Sequence, residues 1–554
     1  MSDLLTTAAG WRDADLDPDT REELDHLIVQ AQANNDELRA TALAELEAAF
    51  SGPIEFGTAG LRGRIGAGPA RMNRVVVTQA AAGFAAWLKE QGLGGGRVII
   101  GHDARHKSAE FAEDTAQIMA GAGFEVLWTT RPVPTPVVAF GIGQFGCVAG
   151  VVVTASHNPP QDNGYKVYLG DGSQIVPPTD SEISAHISRL AAAGWDNEQR
   201  ATARRDVTAE LLAAYADRAA ALYPTAAPRE LNWVHTSMHG VGAETMRRVA
   251  AQIGLPPAHE VAEQAEPNAD FPTVSFPNPE EKGAIDLALA LAKANGADVV
   301  IANDPDADRC AVAAVVDGRW RMLTGDELGS LLGDDAIRRA VPGTFANSVV
   351  SSTELSRMAA AAGRAHTTTL TGFKWIGRVP GLAFGYEEAI GYCVDSAAVP
   401  DKDGITAAVT VLRIAAGLRA EGRTIADRLD EIARTHGLTS TSQLAVRVAD
   451  LSLIAAAMAR LRANPPATLL GEPVTVVDLA AGSPTLPPTD GVELTGGSLH
   501  VVARPSGTEP KLKCYLEVRL PAEASQDVPA ARSVNSDRLR VLRSEMAAAL
   551  GVTD

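Results

Sequence analysis

Cysteine is scarce. Four residues, Cys147, Cys310, Cys393 and Cys514, are scattered through 554 positions with no C-x-x-C pair. That spacing argues against a disulfide framework and a thiolate zinc site, and it fits a reducing, cytoplasmic setting. Long apolar runs are missing too: none reaches the roughly 18 residues of a membrane span. The start, MSDLLTTAAGWRDADLDPDT, has neither the basic residues nor the apolar stretch of a secretory signal. Positive charge is in deficit, with 49 Lys and Arg against 68 Asp and Glu, a net charge of −19. So acidic a chain is repelled by nucleic-acid backbones and anionic lipid; neither is an expected partner, and any anion site must be local. No G-x-x-x-x-G-K-[ST] motif occurs, so a P-loop is excluded. GIGQFG at 141–146 imitates a dinucleotide fingerprint, but an apolar strand follows it where a helix should open. It reads as a turn.

What remains is an ordinary globular composition, 46% apolar and 21% charged, on a chain long enough for about three or four domains. A helical stretch is expected over the first 50 residues, starting after Thr20. Beyond a glycine-rich break, apolar strands alternate with Ala-rich helical stretches. Strands are expected at 97–101, 124–128, 147–153 and 231–239, and helices at 108–121 and 326–340. After about residue 437 the pattern becomes antiparallel strands closed by a helix at 533–550. The expected fold is α/β: three similar mixed-sheet α/β domains followed by a smaller C-terminal α+β domain. Boundaries are expected near 205, 325 and 437, giving units 1–205, 206–325, 326–437 and 438–554.

Four clusters could carry chemistry. TASHNP (154–159) places Ser156 at the C-terminal end of a strand, where open α/β sheets bind ligands. The G-x-S-x-G elbow of acyl hydrolases is absent, since Thr154 and Asn158 stand where it needs glycine. NGYKVY (163–168) suggests a hairpin carrying Lys166 back toward Ser156. NDPDADR (303–309) holds Asp304, Asp306 and Asp308 on alternate positions after an apolar strand. Curled into a loop, three carboxylates converge on a hard cation such as Mg²⁺, and Arg309 offers a phosphate donor beside them. RPSGTEPKLK (504–513) combines Arg504, Ser506, Gly507, Thr508 and two lysines into an anion cradle. Weaker pieces are GYEEAIGY (385–392), with Glu387, and TGFKWIG (371–377), with Lys374.

Together with FGTAGLRG at 56–63, these motifs resemble the α-D-phosphohexomutase superfamily, in its order and over about residues 50–515. The resemblance implies four domains around a central cleft: phosphoserine, metal-binding, sugar-binding and phosphate-binding, in chain order. It implies a phosphoserine at Ser156. It assigns Arg62, His157 and Lys166 to the transferring phosphoryl, with Lys166 as general acid/base. Asp304, Asp306, Asp308 and a Ser156 phosphoryl oxygen would hold one Mg²⁺ per chain. Glu387, with Arg309 and Lys374, would contact the sugar phosphate, and Arg504, Ser506, Gly507 and Thr508 would clamp the phosphate that does not react. His102 and Arg105 are looser candidates.

The implied activity interconverts hexose 1- and 6-phosphates, glucose before mannose, with a sugar bisphosphate as activator and pentose phosphates as the alternative. Ala389 departs from a serine that many relatives carry there, which removes a hydroxyl contact. A Mg²⁺-dependent phosphatase and a non-catalytic sugar-phosphate binder are the competing readings. The expected partner is a small phospho-sugar, and the chain is expected to be a monomer or homodimer.

Overall fold

Buried apolar runs make the sheets, and their order decides where the loops meet. The computed structural model describes residues 2–57, 60–192, 200–448, 452–484, 486–505 and 511–552. The first sheet runs Leu61–Arg64, Asp162–Leu169, Ala149–Val153, Arg97–His102, Glu125–Trp128, Arg205–Asp206. Ala149–Val153 is buried along its whole length, as a strand covered on both faces must be. It pairs parallel with Arg97–His102 and antiparallel with Asp162–Leu169, so the sheet is mixed.

The second sheet has the order Arg319–Met322, Ala311–Val316, Val299–Ala302, Trp233–Thr236, His259–Glu260. The third has His366–Thr369, Thr344–Ser348, Leu382–Glu387, Gly391–Cys393. In the fourth, Leu438–Arg447, Lys511–Leu520, Leu499–Pro505, Val492–Thr495 and Thr475–Asp478 are all antiparallel. Helices Ser452–Ala463 and Val528–Leu550 cover that last sheet. The fold is therefore three mixed α/β layers and a C-terminal α+β layer. Among the described residues no helix is long and apolar enough to cross a membrane.

Several local expectations change. GIGQFG is no turn: it ends helix Thr135–Phe145, and Gly146 caps that helix at φ +61°. Gly141 serves packing, since a Cβ there would lie 2.5 Å from Ile99 Cδ1. Asn163 and Gly164 lie inside strand Asp162–Leu169; the hairpin turn is instead the segment holding Ser156. The N-terminal region forms three helices, Ser2–Ala14, Pro18–Ala31 and Asp36–Ala49. Asp17, not Thr20, caps the second, and Asn35 starts the third by accepting from the amides of Glu37 and Leu38. The last helix begins at Val528, earlier than expected, where Asp527 caps it.

Candidate active site

Ser156 follows strand Ala149–Val153, and the three aspartates follow strand Val299–Ala302. Two neighbouring sheets thus point the C-terminal ends of central strands at one another. Ser156 is buried with φ +52°, a left-handed conformation that costs an L-residue about 1–2 kcal/mol. Hydrogen bonds hold it there. Its amide donates to Thr154 Oγ1 at 2.8 Å, and that hydroxyl donates to Asp103 Oδ2 at 2.6 Å. Arg105 donates to four carbonyls of the same loop: Ser156 and Asn158 at 2.6 Å each, Pro159 at 2.8 Å and Asp162 at 3.3 Å. His102 Nδ1 contacts the Asp103 carbonyl at 2.7 Å. Both groups face the loop's supporting backbone.

Ser156 Oγ donates to Asp304 Oδ2 at 2.7 Å and lies 3.3 Å from His157 Nδ1. Ligand atoms of Asp304, Asp306 and Asp308 fall within 4.8 Å of one another, all buried. Ala307, at φ +55°, curls the loop that brings them together. Burial, then repulsion from Asp306 and Asp308, pushes the Asp304 carboxyl well above its usual range. Burial also works against Asp308, but Lys166, Lys402 and Arg309 outweigh it and hold that carboxyl low. The Lys166 ammonium donates to Asp306 Oδ2 and Asp308 Oδ2 at 2.7 Å each. Burial opposes its charge, yet the two carboxylates hold its pKa above the usual lysine value. Oδ1 of Asp306 and Oδ1 of Asp308 are buried without a hydrogen-bond partner. Oxygens left bare in this way fit a hard divalent cation, which suits Mg²⁺ chemistry.

The first sheet's edge adds Arg62, whose Nη1 donates to Asn158 Oδ1 at 3.2 Å; burial lowers its pKa against the pull of Asp306. Burial and the cations Arg309 and Arg62 push His157 well below the usual histidine value, so its ring is neutral.

The third sheet supplies Glu387 at the end of strand Leu382–Glu387. Its neighbour Glu388 is tied to Ser348 and Ser351, each at 3.2 Å. Glu387 is raised by burial, with Lys402 and Arg309 opposing. The aspartate loop and this loop are joined by backbone: the Cys310 amide donates to the Ile390 carbonyl at 3.1 Å. Arg504, at the end of strand Leu499–Pro505, donates from Nη1 to Thr371 Oγ1. Lys374, three residues on, is lowered by burial to about 8, with Asp180 opposing. Ser506, Gly507 and Thr508 lie outside the described residues.

Two participants were not among the expected site residues. Lys402 Nζ lies 3.4 Å from Asp308 Oδ2. Its neighbours fix it on both sides: Tyr168 donates to Asp401 at 2.9 Å and Tyr215 to Asp403 at 2.7 Å. Gly404 lets this segment close on the aspartate loop, since a Cβ there would sit 2.1 Å from the Arg309 carbonyl. Thr135 donates its hydroxyl to Asp306 Oδ2 at 2.6 Å and its amide to the Asp306 carbonyl at 2.9 Å.

The chain matches four domain families, described as phosphoglucomutase/phosphomannomutase alpha/beta/alpha domains I, II and III and the C-terminal domain. The matches cover residues 53–193, 213–316, 324–436 and 444–532. The chain belongs to the phosphoglucomutase/phosphomannomutase family. This is the α-D-phosphohexomutase superfamily, so the protein is an isomerase, an intramolecular phosphotransferase acting in carbohydrate metabolism.

It is 46% identical to a Haemophilus influenzae protein named "Probable phosphomannomutase", over 81% of this chain and 93% of that one. It is 38% identical to the Schizosaccharomyces pombe "Probable phosphoribomutase", over 92% of each chain. The Homo sapiens phosphopentomutase is 34% identical, over 95% of this chain and 93% of that one. A solved phosphoglucomutase/phosphomannomutase family protein from Burkholderia thailandensis shares the fold, with TM-score 0.69 and 20% identity over 89% of this chain and 97% of that one.

Proposed function

We propose that this family member moves a phosphoryl group between two hydroxyls of one sugar phosphate by way of phosphoserine 156. The observation that carries the reading is the 2.7 Å contact of Ser156 Oγ with Asp304, inside a cluster that also holds Lys166. The phosphoserine O–P bond breaks as the sugar's free hydroxyl oxygen bonds to phosphorus, and a bisphosphate forms. After the bisphosphate turns end for end, Ser156 Oγ takes the other phosphoryl. Lys166 exchanges the proton with the oxygens that enter and leave. Arg62 offsets charge on the moving phosphoryl, and His157, being neutral, assists as a hydrogen-bonding group. Asp304, Asp306 and Asp308 would hold one Mg²⁺ with a Ser156 phosphoryl oxygen. The ion, when bound, supplies electrostatic stabilisation of the transferring group. Glu387 and Lys374 bind the sugar, while Arg309 and Arg504 with residues 506–508 bind its phosphate. The four units meet near residues 205, 325 and 437.

Hexose phosphates, glucose or mannose, remain the first assignment. Pentose phosphates are the second, because the phosphoribomutase and phosphopentomutase relatives align over nearly the whole chain. A sugar bisphosphate restores the phosphoserine when it is lost. The four buried free cysteines suit a reducing cytoplasm.

Ser156→Ala should lower turnover of every sugar 1-phosphate by about three orders of magnitude or more, because the covalent route disappears. Intact-mass measurement should also show loss of a phosphate-sized adduct after incubation with glucose 1,6-bisphosphate. Undiminished turnover in the variant would favour the phosphatase reading. Binding without isomerisation in the parent would favour the non-catalytic one.

A further inference from the structure

Between strand His259–Glu260 and helix Asp286–Asn295 runs a long segment with no strand of its own and no part in the reaction above. Two prolines stiffen its end. Pro277 and Pro279 are both buried, and their rings fix φ. Between them Asn278 makes a turn: its side-chain oxygen accepts from the Glu280 amide at 3.1 Å, and its carbonyl from the Glu281 amide at 3.0 Å. That turn sets Glu280 beside Arg309. Glu280 also lines a cavity of about 240 Å³ at the boundary of the third and fourth sheets, with Asp326, Ser351, Glu388 and Tyr515.

The Glu280 carboxylate is poorly satisfied. Its Oε2 lies 3.8 Å from Arg309 Nη1, beyond hydrogen-bond range, and the side chain is 33% exposed. Arg309 is incomplete as well: its Nε is buried with no hydrogen-bond partner. The pair reads as a loose resting contact that a ligand separates. A phosphate that engages the Arg309 guanidinium is better placed to neutralise it than a carboxylate 3.8 Å away. The Asn278 turn and the two prolines hold the Glu280 backbone, so only its side chain can adjust. Its oxygens are then open to donors from water or from the ring hydroxyls that a sugar phosphate brings.

We infer that Glu280, beside Arg309, is a specificity-determining residue that accepts a hydrogen bond from a ring hydroxyl of the sugar phosphate. This rests on the mutase reading and extends it to a carboxylate from the second sheet's irregular segment. A sugar lacking that hydroxyl loses this contact and is turned over more slowly.

The test uses the full-length enzyme with Mg²⁺ and bisphosphate, and three matched pairs of 1-phosphates: ribose and 2-deoxyribose, glucose and 2-deoxyglucose, glucose and 3-deoxyglucose. In at least one pair the parent should prefer the hydroxylated sugar by about 10- to 100-fold in kcat/KM. Glu280→Ala should bring that ratio to about one, losing activity on the hydroxylated member alone. Glu280→Gln, which keeps the shape, removes the resting partner of Arg309; inorganic phosphate should then inhibit at lower concentration than in the parent. Ratios unchanged in every pair, or an equal fall for both members, would overturn the assignment and leave the mutase reading standing. Failure of the parent to isomerise any of the sugars would instead overturn the mutase reading.

Discussion

The junction among the first three sheets and the junction between the third and fourth are built differently. One buried apolar cluster runs without interruption from Val137 and Ile142 beside the first sheet, through Val300 and Val312 in the second, to Phe384 and Tyr386 in the third. The fourth sheet keeps its own core, with Leu461, Val501, Leu516 and Met546. Its boundary with the third sheet mixes polar contacts with small apolar clusters. The Thr353 amide donates to Glu517 at 2.7 Å, Arg357 donates to Thr439 Oγ1, and the apolar parts are Val349, Val350, Leu479 and Val502 in one cluster and Ala433, Leu438, Val528 and Ala531 in another. The loops of Ser156, the aspartates and Glu387 therefore sit on one continuous body, while Arg504 is carried by a body docked through hydrogen bonds and small apolar clusters. Apolar burial is non-directional and fails all at once, whereas polar contacts can be exchanged for water singly. On the proposed mechanism, a bisphosphate that turns over within the cleft would be better served by adjustability on the side that carries Arg504.

The contrast can be broken by mutation. Phe384 is fully buried in the shared cluster. Phe384→Ala should cost about 3–5 kcal/mol, seen as a lower denaturation midpoint common to probes in the first and third sheets. If those probes separate, the single-body picture fails.

A smaller effect is expected from pH at the boundary. Burial raises the Asp326 carboxyl to about 7, with the Ser352 amide opposing. The folded state then binds its proton more tightly than the unfolded state does. Its contribution is full below the unfolded value of about 4 and is lost as pH rises through about 7. Asp326→Asn should flatten this dependence and gain of the order of 2 kcal/mol at pH 8, measured by denaturation at several pH values. A slope unchanged between pH 4 and 8 would show that the carboxyl is not held protonated. Arg357→Ala should cost about 1 kcal/mol, confined to the transition reported by a fourth-sheet probe. Arg247→Ala, which removes the exposed pair with Glu260, should change either midpoint by less than about 0.5 kcal/mol.

Residue type and local order made part of this legible in advance. Ser156 at a strand end and three aspartates on alternate positions are chemical signals inside short windows, and they meet as expected at 2.7 Å. Lys402 and Thr135 were not assigned to the site from the sequence. Thr135 and Asp306 are 171 residues apart, so only the packing of one sheet against another makes them partners. Glu280 was invisible for a similar reason, since a glutamate after Asn-Pro reads as a solvated turn. GIGQFG failed in another way: glycine's backbone freedom suggested a turn, while Gly141 is small so that a helix can press on Ile99. The first 50 residues were recognised as helical, but their breaks depend on which Asp or Asn finds free amides to cap.

The amide of Cys310 donates to the Ile390 carbonyl, so the chain that carries the aspartates is stitched directly to the chain that carries Glu387. On the proposed mechanism, a sugar that pulls on the glutamate also strains the aspartate loop through one backbone hydrogen bond. The proposed grip on the substrate and the proposed seat for its counter-ion would then move as one jaw, so that a change in either is felt by the other.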